Sequence, residues 1–298
     1  MPRRKRPAIL LLVVAIALIA AACSSSDEPT ITVGSANFSE SALVAEIYAQ
    51  ALEAEGLPVK RTLNVGSREI YATALESGEL DLVPEYIGTM LTFLGGEATS
   101  DSAATHAALQ DEWAPKDISV LDYASAQDKN GIVVTRATAD ELGVTTTSGL
   151  AAFNGTLVFG GPPECPNREF CLIGLQDLYG LDFVEFKPLD VGGPITVTAL
   201  ESGEIDVGLL FTSSAVIIAK DFVLLEDDLG LQPAENLAPA IRTEIIVAYG
   251  DRVSNALNAV SAALTTVELT ALNKRVEIDG EDPDKVAADW LTSNGLVE

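Results

Sequence analysis

The chain has 298 residues, of which 18 are basic and 44 acidic, and its formal net charge is −26 at pH 7. A surface this acidic repels nucleic acid and anionic lipid headgroups, so we expect no nucleic-acid partner. One histidine and three cysteines offer almost no candidates for a histidine-based catalytic triad or a zinc site, so we expect neither cofactor nor metal.

The first 22 residues predict a segment that directs export. Residues 3–6 are basic, residues 8–18 are apolar but too few to span a membrane comfortably, and small residues precede Cys23. This order is similar to the signal of bacterial lipoproteins, which implies cleavage before Cys23, lipidation of its sulfur and a tether over residues 23–29. The alternative is an ordinary secretory signal in which Cys23 is incidental. Either signal makes the mature chain extracytoplasmic, and the lipid would anchor it to the bacterial plasma membrane without a spanning segment.

Strands and helices alternate after the tether. Strands are predicted at 31–34, 59–65 and 80–83, and helices from Asn37 or Ser39 to about Glu55, at 67–77 and at 101–113. This order is typical of a parallel sheet with helices on its faces.

The second half of the chain repeats this order. Its predicted strands are 156–160, 183–186, 205–210, 223–225 and 244–248, and its predicted helices are 172–179, 194–202, 254–264, 266–277 and 282–294. The polar stretches 123–131 and 231–240 are interpreted as crossings between two lobes. We therefore expect a first lobe of residues 30–131 plus 236–298 and a second lobe of residues 132–235.

One phrase occurs twice, as TALESGELD at 73–81 and TALESGEID at 198–206. Only Leu80 and Ile205 differ, and strand-like runs begin at equal distances upstream, at Ile31 and Thr156. Two copies of one α/β unit would place a ligand cleft between them. The alternative is that a helix–glycine–strand phrase recurred by chance.

Cys165 and Cys171 predict a disulfide, because two cysteines six residues apart in an exported chain commonly pair. Two buried thiols are the alternative. His106 lies in an alanine-rich helix, where we expect it at the surface, and the sequence contains neither a nucleophile elbow nor a phosphate-binding glycine loop. These features favour a binding protein over an enzyme.

Four motifs resemble the glycine betaine/choline-type (osmoprotectant) binding proteins of ABC importers. They are ITVGSANFSE at 31–40, ALESGELD at 74–81, PEYIGT at 84–89 and NLAPAIR at 236–242. The resemblance implies an α/β, two-lobed periplasmic-binding-protein fold (type II-like), in which each lobe is a sheet flanked by helices and two crossings join the lobes. It also implies a small-molecule ligand, and a membrane permease and its ATPase as partners. We expect the receptor to be a monomer.

Members of this family hold a quaternary ammonium group among aromatic rings and a carboxylate with polar and basic groups. The resemblance assigns Tyr86 and Phe211 to the aromatic box, Thr89 to ligand contact and Arg168 to the carboxylate. The other expected ligand-binding residues are Asn37, Ser39, Asn130, Thr212 and Glu235. For six of these residues the alternative is structural: a core Tyr86, a surface Arg168, a packed Phe211, a solvent-exposed Glu235, and helix caps at Asn37 and Ser39.

Three positions depart from the family pattern. Ala36 replaces a common lysine, and Gly131 and Glu235 replace two tyrosines of the box. Glu235 would add a negative charge, which favours a cation that also donates hydrogen bonds, or it would pair with Arg168 across the closed cleft. The predicted function is a receptor for glycine betaine or another compatible solute. The alternatives are choline, an ergothioneine-like amino-acid derivative, or a sensor that is not coupled to transport.

Overall fold

The computed structural model describes residues 29–297, and the predicted export signal and Cys23 lie outside the described residues. The strands, in chain order, are β1 (Ile31–Ala36), β2 (Val59–Gly66), β3 (Leu82–Tyr86), β4 (Ile118–Val120), β5 (Asn130–Thr135), β6 (Val158–Gly161), β7 (Glu185–Pro188), β8 (Val207–Phe211), β9 (Phe222–Leu224) and β10 (Leu237–Arg242).

The helices, in chain order, are α1 (Ser39–Ala54), α2 (Arg68–Ser77), α3 (Ile87–Phe93), α4 (Ser102–Trp113), α5 (Arg136–Leu142), α6 (Gly174–Asp177), α7 (Pro194–Ser202), α8 (Val216–Ala219), α9 (Thr243–Tyr249), α10 (Asp251–Ala263), α11 (Thr266–Glu277) and α12 (Pro283–Ser293). Short 3-10 turns lie at Ala114–Lys116, Ser148–Phe153 and Cys165–Asn167, and a π-helical turn precedes α6 at Glu169–Ile173.

The strands form two five-stranded sheets, in the orders β2-β1-β3-β10-β4 and β7-β6-β8-β5-β9. In the first sheet β1 runs parallel to β2 and β3, and in the second β6 runs parallel to β7 and β8. The chain passes from the first sheet to the second after β4 and returns after β9. Helices and buried apolar clusters lie against each sheet, so the chain folds as two α/β lobes.

Each sheet is mixed, whereas the sequence pattern predicted parallel sheets. Strand β10 is antiparallel to β3 and β4, and β5 is antiparallel to β8. These two strands directly follow the crossings, so the chain enters each sheet from the other lobe rather than through a βαβ connection.

The predicted strand at 244–248 is wrong, because this segment is helix α9. Its run Ile245-Ile246-Val247 has the β-branched side chains that are common in strands. Packing overrides that preference, since Ile245 is buried in the same apolar cluster as Ile241 of β10 and Val253 of α10. The strand itself, β10, lies just before this helix and overlaps the stretch that we interpreted as a crossing.

The repeated phrase forms the same contact in both lobes. A Cβ added to Gly34 would lie 2.5 Å from Cδ1 of Leu80, and one added to Gly160 would lie 2.7 Å from Cδ1 of Ile205. The aspartate that ends each copy accepts a hydrogen bond from a strand of its own lobe, β1 or β6, at 2.8 Å from Thr32 N to Asp81 Oδ2 and from Val158 N to Asp206 Oδ2. The repeat is therefore a structural unit in which a helix end packs closely on the neighbouring strand.

Replacing Gly34 by alanine tests this close contact. We expect Gly34→Ala to lower the free energy of unfolding by about 1–3 kcal/mol, because the new methyl group overlaps Leu80. Leu80→Ala alone should cost about 2–5 kcal/mol by leaving a cavity. The double variant should be more stable than the sum of the two costs predicts, by about 0.5–3 kcal/mol, as urea denaturation of all four proteins would measure. Simple additivity would contradict the contact.

Candidate ligand-binding site

A cleft of about 400 Å³ lies between the two sheets and is lined by residues of both lobes. Its size suits one small molecule. Six of the residues predicted from the sequence line it: Asn37, Tyr86, Thr89, Asn130, Arg168 and Phe211. Three others, Ser39, Thr212 and Glu235, do not belong to its wall.

Three aromatic rings from both lobes meet in the cleft. Phe38, between β1 and α1, has its ring centroid 6.0 Å from that of Tyr86 at the end of β3 and 5.0 Å from that of Phe211 at the end of β8. Phe38 was not among the predicted site residues, although it stands inside the Asn-Phe-Ser-Glu motif. The motif's aromatic residue was the signal that could have identified it.

Tyr86 is fixed by Glu40, a buried glutamate of α1. The phenol of Tyr86 donates to Glu40 Oε1 at 2.6 Å, and Ser213 Oγ and Asn273 Nδ2 both donate to Glu40 Oε2 at 2.5 Å. Burial raises the pKa of Glu40, and the hydrogen bonds from Ser213, Tyr86 and Asn273 offset only part of that rise. The network holds a residue of the second lobe, Ser213, against the first.

Asp128 lies in the first crossing and faces the cleft. Its Oδ1 accepts a hydrogen bond from Ser213 N at 2.9 Å, while its buried Oδ2 has no hydrogen-bond partner within residues 29–297. Burial, followed by repulsion from Glu40, raises the pKa of Asp128 well above its usual range. The sequence interpretation missed this residue, because nothing local indicated that the crossing turns a carboxylate inward.

Arg168 reaches the cleft from a loop that a disulfide closes. The structure pairs Cys165 with Cys171, with their Cα atoms 5.2 Å apart, and Arg168 lies between them. Its Nη2 donates to Glu69 Oε1 of the first lobe at 2.6 Å, and its guanidinium lies 5.5 Å from the ring centroid of Phe93. Glu69, rather than Glu235, is therefore the partner of Arg168 across the cleft.

A second arginine, Arg68, lines the first-lobe wall at the beginning of α2. Its Nη2 donates to Glu85 Oε1 at 2.9 Å. Glu85 is fully buried and also accepts hydrogen bonds from Tyr86 N at 2.8 Å and from the phenol of Tyr71 at 2.7 Å. The sequence interpretation did not select Arg68, because its buried partner lies on a neighbouring strand.

Glu235 lies behind the cleft wall and is 2% exposed, so it is not a solvent-exposed loop residue. Thr89 Oγ1 donates a hydrogen bond to Glu235 Oε1, and Oε2 has no partner among the described residues. Burial raises the pKa of Glu235 to about 7. The glutamate is hidden because α3 packs closely on the second crossing, where a Cβ on Gly88 would lie 2.6 Å from the carbonyl oxygen of Ala234.

The remaining predicted residues have structural contacts. Ser39 Oγ donates to Glu277 Oε1 at 3.2 Å, and Thr212 Oγ1 accepts from Lys129 N at 2.9 Å. Neither Asn37 nor Ser39 caps α1, because Phe38 occupies the N-cap position and no side chain caps the helix there.

Residues 29–297 offer neither a cluster of metal ligands nor a membrane-spanning helix. This part of the chain contains no group of three or more histidine, cysteine or acidic residues that could hold a metal ion. Among its helices, none has the length and apolar character needed to cross a membrane.

Comparison with known proteins identifies the family. Residues 29–293 match the substrate binding domain of the ABC-type glycine betaine transport system. The chain belongs to this family. Substrate-binding proteins of ABC importers are extracytoplasmic and work with a membrane permease, and the family is one of solute-binding proteins.

Individual relatives bind different solutes according to their names. The glycine-betaine-binding protein of Pseudomonas aeruginosa is 28% identical over 283 residues, which are 90% of this chain and 89% of that protein. The ergothioneine transport permease/ergothioneine binding protein EgtU of Helicobacter pylori is 26% identical over 291 residues, which are 96% of this chain and 52% of that protein.

A crystal structure of a glycine betaine/carnitine/choline ABC transporter superimposes with a TM-score of 0.72. It covers 90% of this chain and 100% of its own, at 24% identity. This similarity, together with the two mixed sheets, confirms the predicted two-lobed periplasmic-binding-protein fold.

The buried Glu235 predicts a pH-dependent loss of stability. Below about pH 4.5 it is protonated in the folded and the unfolded chain, and between pH 4.5 and about 7 the unfolded chain releases its proton first. Stability is therefore lost as the pH rises through this window, by up to about 3 kcal/mol. Glu235→Gln avoids this loss, so we expect its stability advantage over the unaltered protein to grow by about 2–3 kcal/mol from pH 5 to pH 8.

Urea denaturation at both pH values measures this difference. Glu112→Gln, at an exposed position of α4, is the matched control and should show no such growth. An equal pH dependence in Glu235→Gln and the unaltered protein would contradict the burial of an ionisable group at this position.

Proposed function

We propose that the protein is the solute receptor of an ABC importer and captures glycine betaine or a related quaternary-ammonium compatible solute between its lobes. The observation that carries this proposal is the cluster of Phe38, Tyr86 and Phe211, in which rings from both lobes meet inside one cleft. Faces of aromatic rings attract a cation that is poorly hydrated, and a trimethylammonium group is such a cation.

The charges around these rings support the same ligand class. Asp128 adds a carboxyl group whose charged form a bound cation would favour, and Arg168 adds a guanidinium from the second lobe. A small zwitterion would meet an acidic and aromatic region with its ammonium group and a basic region with its carboxylate. The cleft of about 400 Å³ admits one such molecule.

Capture would work by movement of the two lobes about the two crossings. We propose that the lobes are residues 30–131 plus 236–298 and residues 132–235, as the sequence predicted. Closure would bury the ligand among rings that belong to different lobes, and the closed form would dock on the permease. In this proposal the protein is a monomer anchored through a lipid on Cys23 and has no enzymatic activity.

A second ligand class is a cation that also donates hydrogen bonds, such as an ergothioneine-like amino-acid derivative. The buried Oδ2 of Asp128, which has no partner within residues 29–297, favours this class, because the imidazole-type ring of such a molecule adds an N–H donor that glycine betaine lacks. The sequence predicted Glu235 as the acceptor in the cleft wall. Because Glu235 lies behind that wall, Asp128 takes this role in the proposal. Neighbouring genes for a permease and an ATPase would separate transport from sensing.

Calorimetric titration with a panel of solutes tests the proposed function. The panel contains glycine betaine, proline betaine, carnitine, choline, ergothioneine and basic amino acids. We expect saturable binding of at least one betaine, because the aromatic cluster and Arg168 complement its two charged groups. Binding of a basic amino acid alone, with no response to any quaternary ammonium compound, would contradict the proposal.

Variants of Tyr86 and Arg168 test the site. We expect Tyr86→Ala and Arg168→Ala each to weaken binding by roughly 1–3 kcal/mol, the cost of losing a desolvated contact. Tyr86→Phe is the matched control, because it keeps the ring and loses only the hydrogen bond to Glu40. Its affinity should stay closer to that of the unaltered protein. Unchanged affinity in both alanine variants would remove these residues from the site.

A further inference from the structure

We propose that Arg68 is a specificity-determining residue that selects ligands carrying a carboxylate, so that the cleft takes zwitterions in preference to simple cations such as choline. This inference rests on the proposed function and names the ligand class within it. Arg68 was not selected by the family motifs, and its position in the cleft wall is a finding of the structure.

Most hydrogen-bond donors of Arg68 are unused. A guanidinium carries five N–H donors, and among the described residues the side-chain partners of Arg68 are Glu85, which accepts from Nη2, and Tyr71. Its Nε is buried and has no acceptor within residues 29–297, and only 14% of the side chain is exposed. A desolvated cation with spare donors is costly unless a ligand supplies acceptors, and a carboxylate matches the planar fork of a guanidinium.

The guanidinium is also held in place before any ligand arrives. Glu85 contacts it from the strand β3, and the remaining contacts of Glu85, to Tyr71 and to the backbone of Tyr86, fix that carboxylate in turn. The guanidinium carbon of Arg68 lies 6.0 Å from the ring centroid of Tyr71. An arginine fixed in this way loses little conformational entropy when it binds an anion.

Arg168 of the facing lobe lines the same cleft as Arg68. Glu69, the next residue after Arg68, places its carboxylate 2.6 Å from Nη2 of Arg168 in the second lobe. A ligand carboxylate in this region would meet one guanidinium from each lobe. The rings of Phe38, Tyr86 and Phe211, with Asp128, complement the cationic group of the same molecule.

The test compares glycine betaine with choline, because both carry a trimethylammonium group and only the betaine carries a carboxylate. Both ligands are titrated calorimetrically into the purified protein and into its Arg68→Met and Arg68→Lys variants. The unaltered protein should bind glycine betaine at least about tenfold more tightly than choline, and Arg68→Met should weaken the betaine by about 10- to 100-fold while choline changes by less than about threefold. Arg68→Lys, which keeps the charge next to Glu85, should retain part of the preference.

Arg61→Met is the matched control. Arg61 is another first-lobe arginine with carboxylate partners, Glu46 and Glu53, but it lies outside the cleft wall. Its replacement should leave the ratio of the two affinities unchanged.

The alternative role of Arg68 is to act only as the counterion of Glu85. Equal weakening of both ligands in Arg68→Met, together with a lower melting temperature, would show that role and overturn the inference. Choline binding as tight as that of glycine betaine in the unaltered protein would overturn it without any variant, and would leave the proposed function intact. Binding of no quaternary ammonium compound would overturn the proposed function and this inference with it.

Discussion

The arrangement of the site depends on the hydrogen bonds that the carboxyl group of Glu40 accepts. It is buried and accepts hydrogen bonds from Tyr86 at the end of β3, from Ser213 just after β8, and from Asn273 in α11. A buried carboxyl group is expensive unless donors surround it, and here the donors come from three distant parts of the chain. Because Phe211 lies two residues before Ser213, the same contact sets where the rings of the two lobes meet.

The two lobes share their framework and differ at their strand ends. The close approach of Gly34 to Leu80 recurs in the second lobe, and so does the aspartate that accepts a hydrogen bond from β1 in one lobe and from β6 in the other. The segments after β1 and β6 are unlike each other: an aromatic turn leads into a long helix in one lobe, and the disulfide loop carries Arg168 in the other. The two lobes thus share the same supporting contacts, while the cleft-lining residues Phe38 and Arg168 come from segments that differ between them.

The parts of the fold that could be predicted are those with local signals. The first five elements and the repeat were predictable because short apolar strands alternate with helices that end at glycine. Strand β10 was not, because its pairing with β3 joins segments far apart in the chain, and Pro239 within it is uncommon in a central strand. In the site, motif residues such as Tyr86 could be placed. The burial of Glu235 and the inward position of Asp128 could not, since both depend on packing around the crossings.

The ion pair between Glu69 and Arg168 makes one contact between the lobes sensitive to dissolved salt. It bridges the lobes at a place where 51% of the Glu69 side chain is exposed, whereas the contacts of Glu40 are buried. Dissolved ions screen exposed charges over about 8 Å at physiological ionic strength, and over shorter distances as salt increases. Rising salt concentration therefore weakens the exposed ion pair between Glu69 and Arg168 and leaves the buried hydrogen bonds of Glu40 intact. The strength of this ion pair between the lobes therefore depends on the salt concentration of the medium, whereas that of the buried Glu40 contacts depends on it much less.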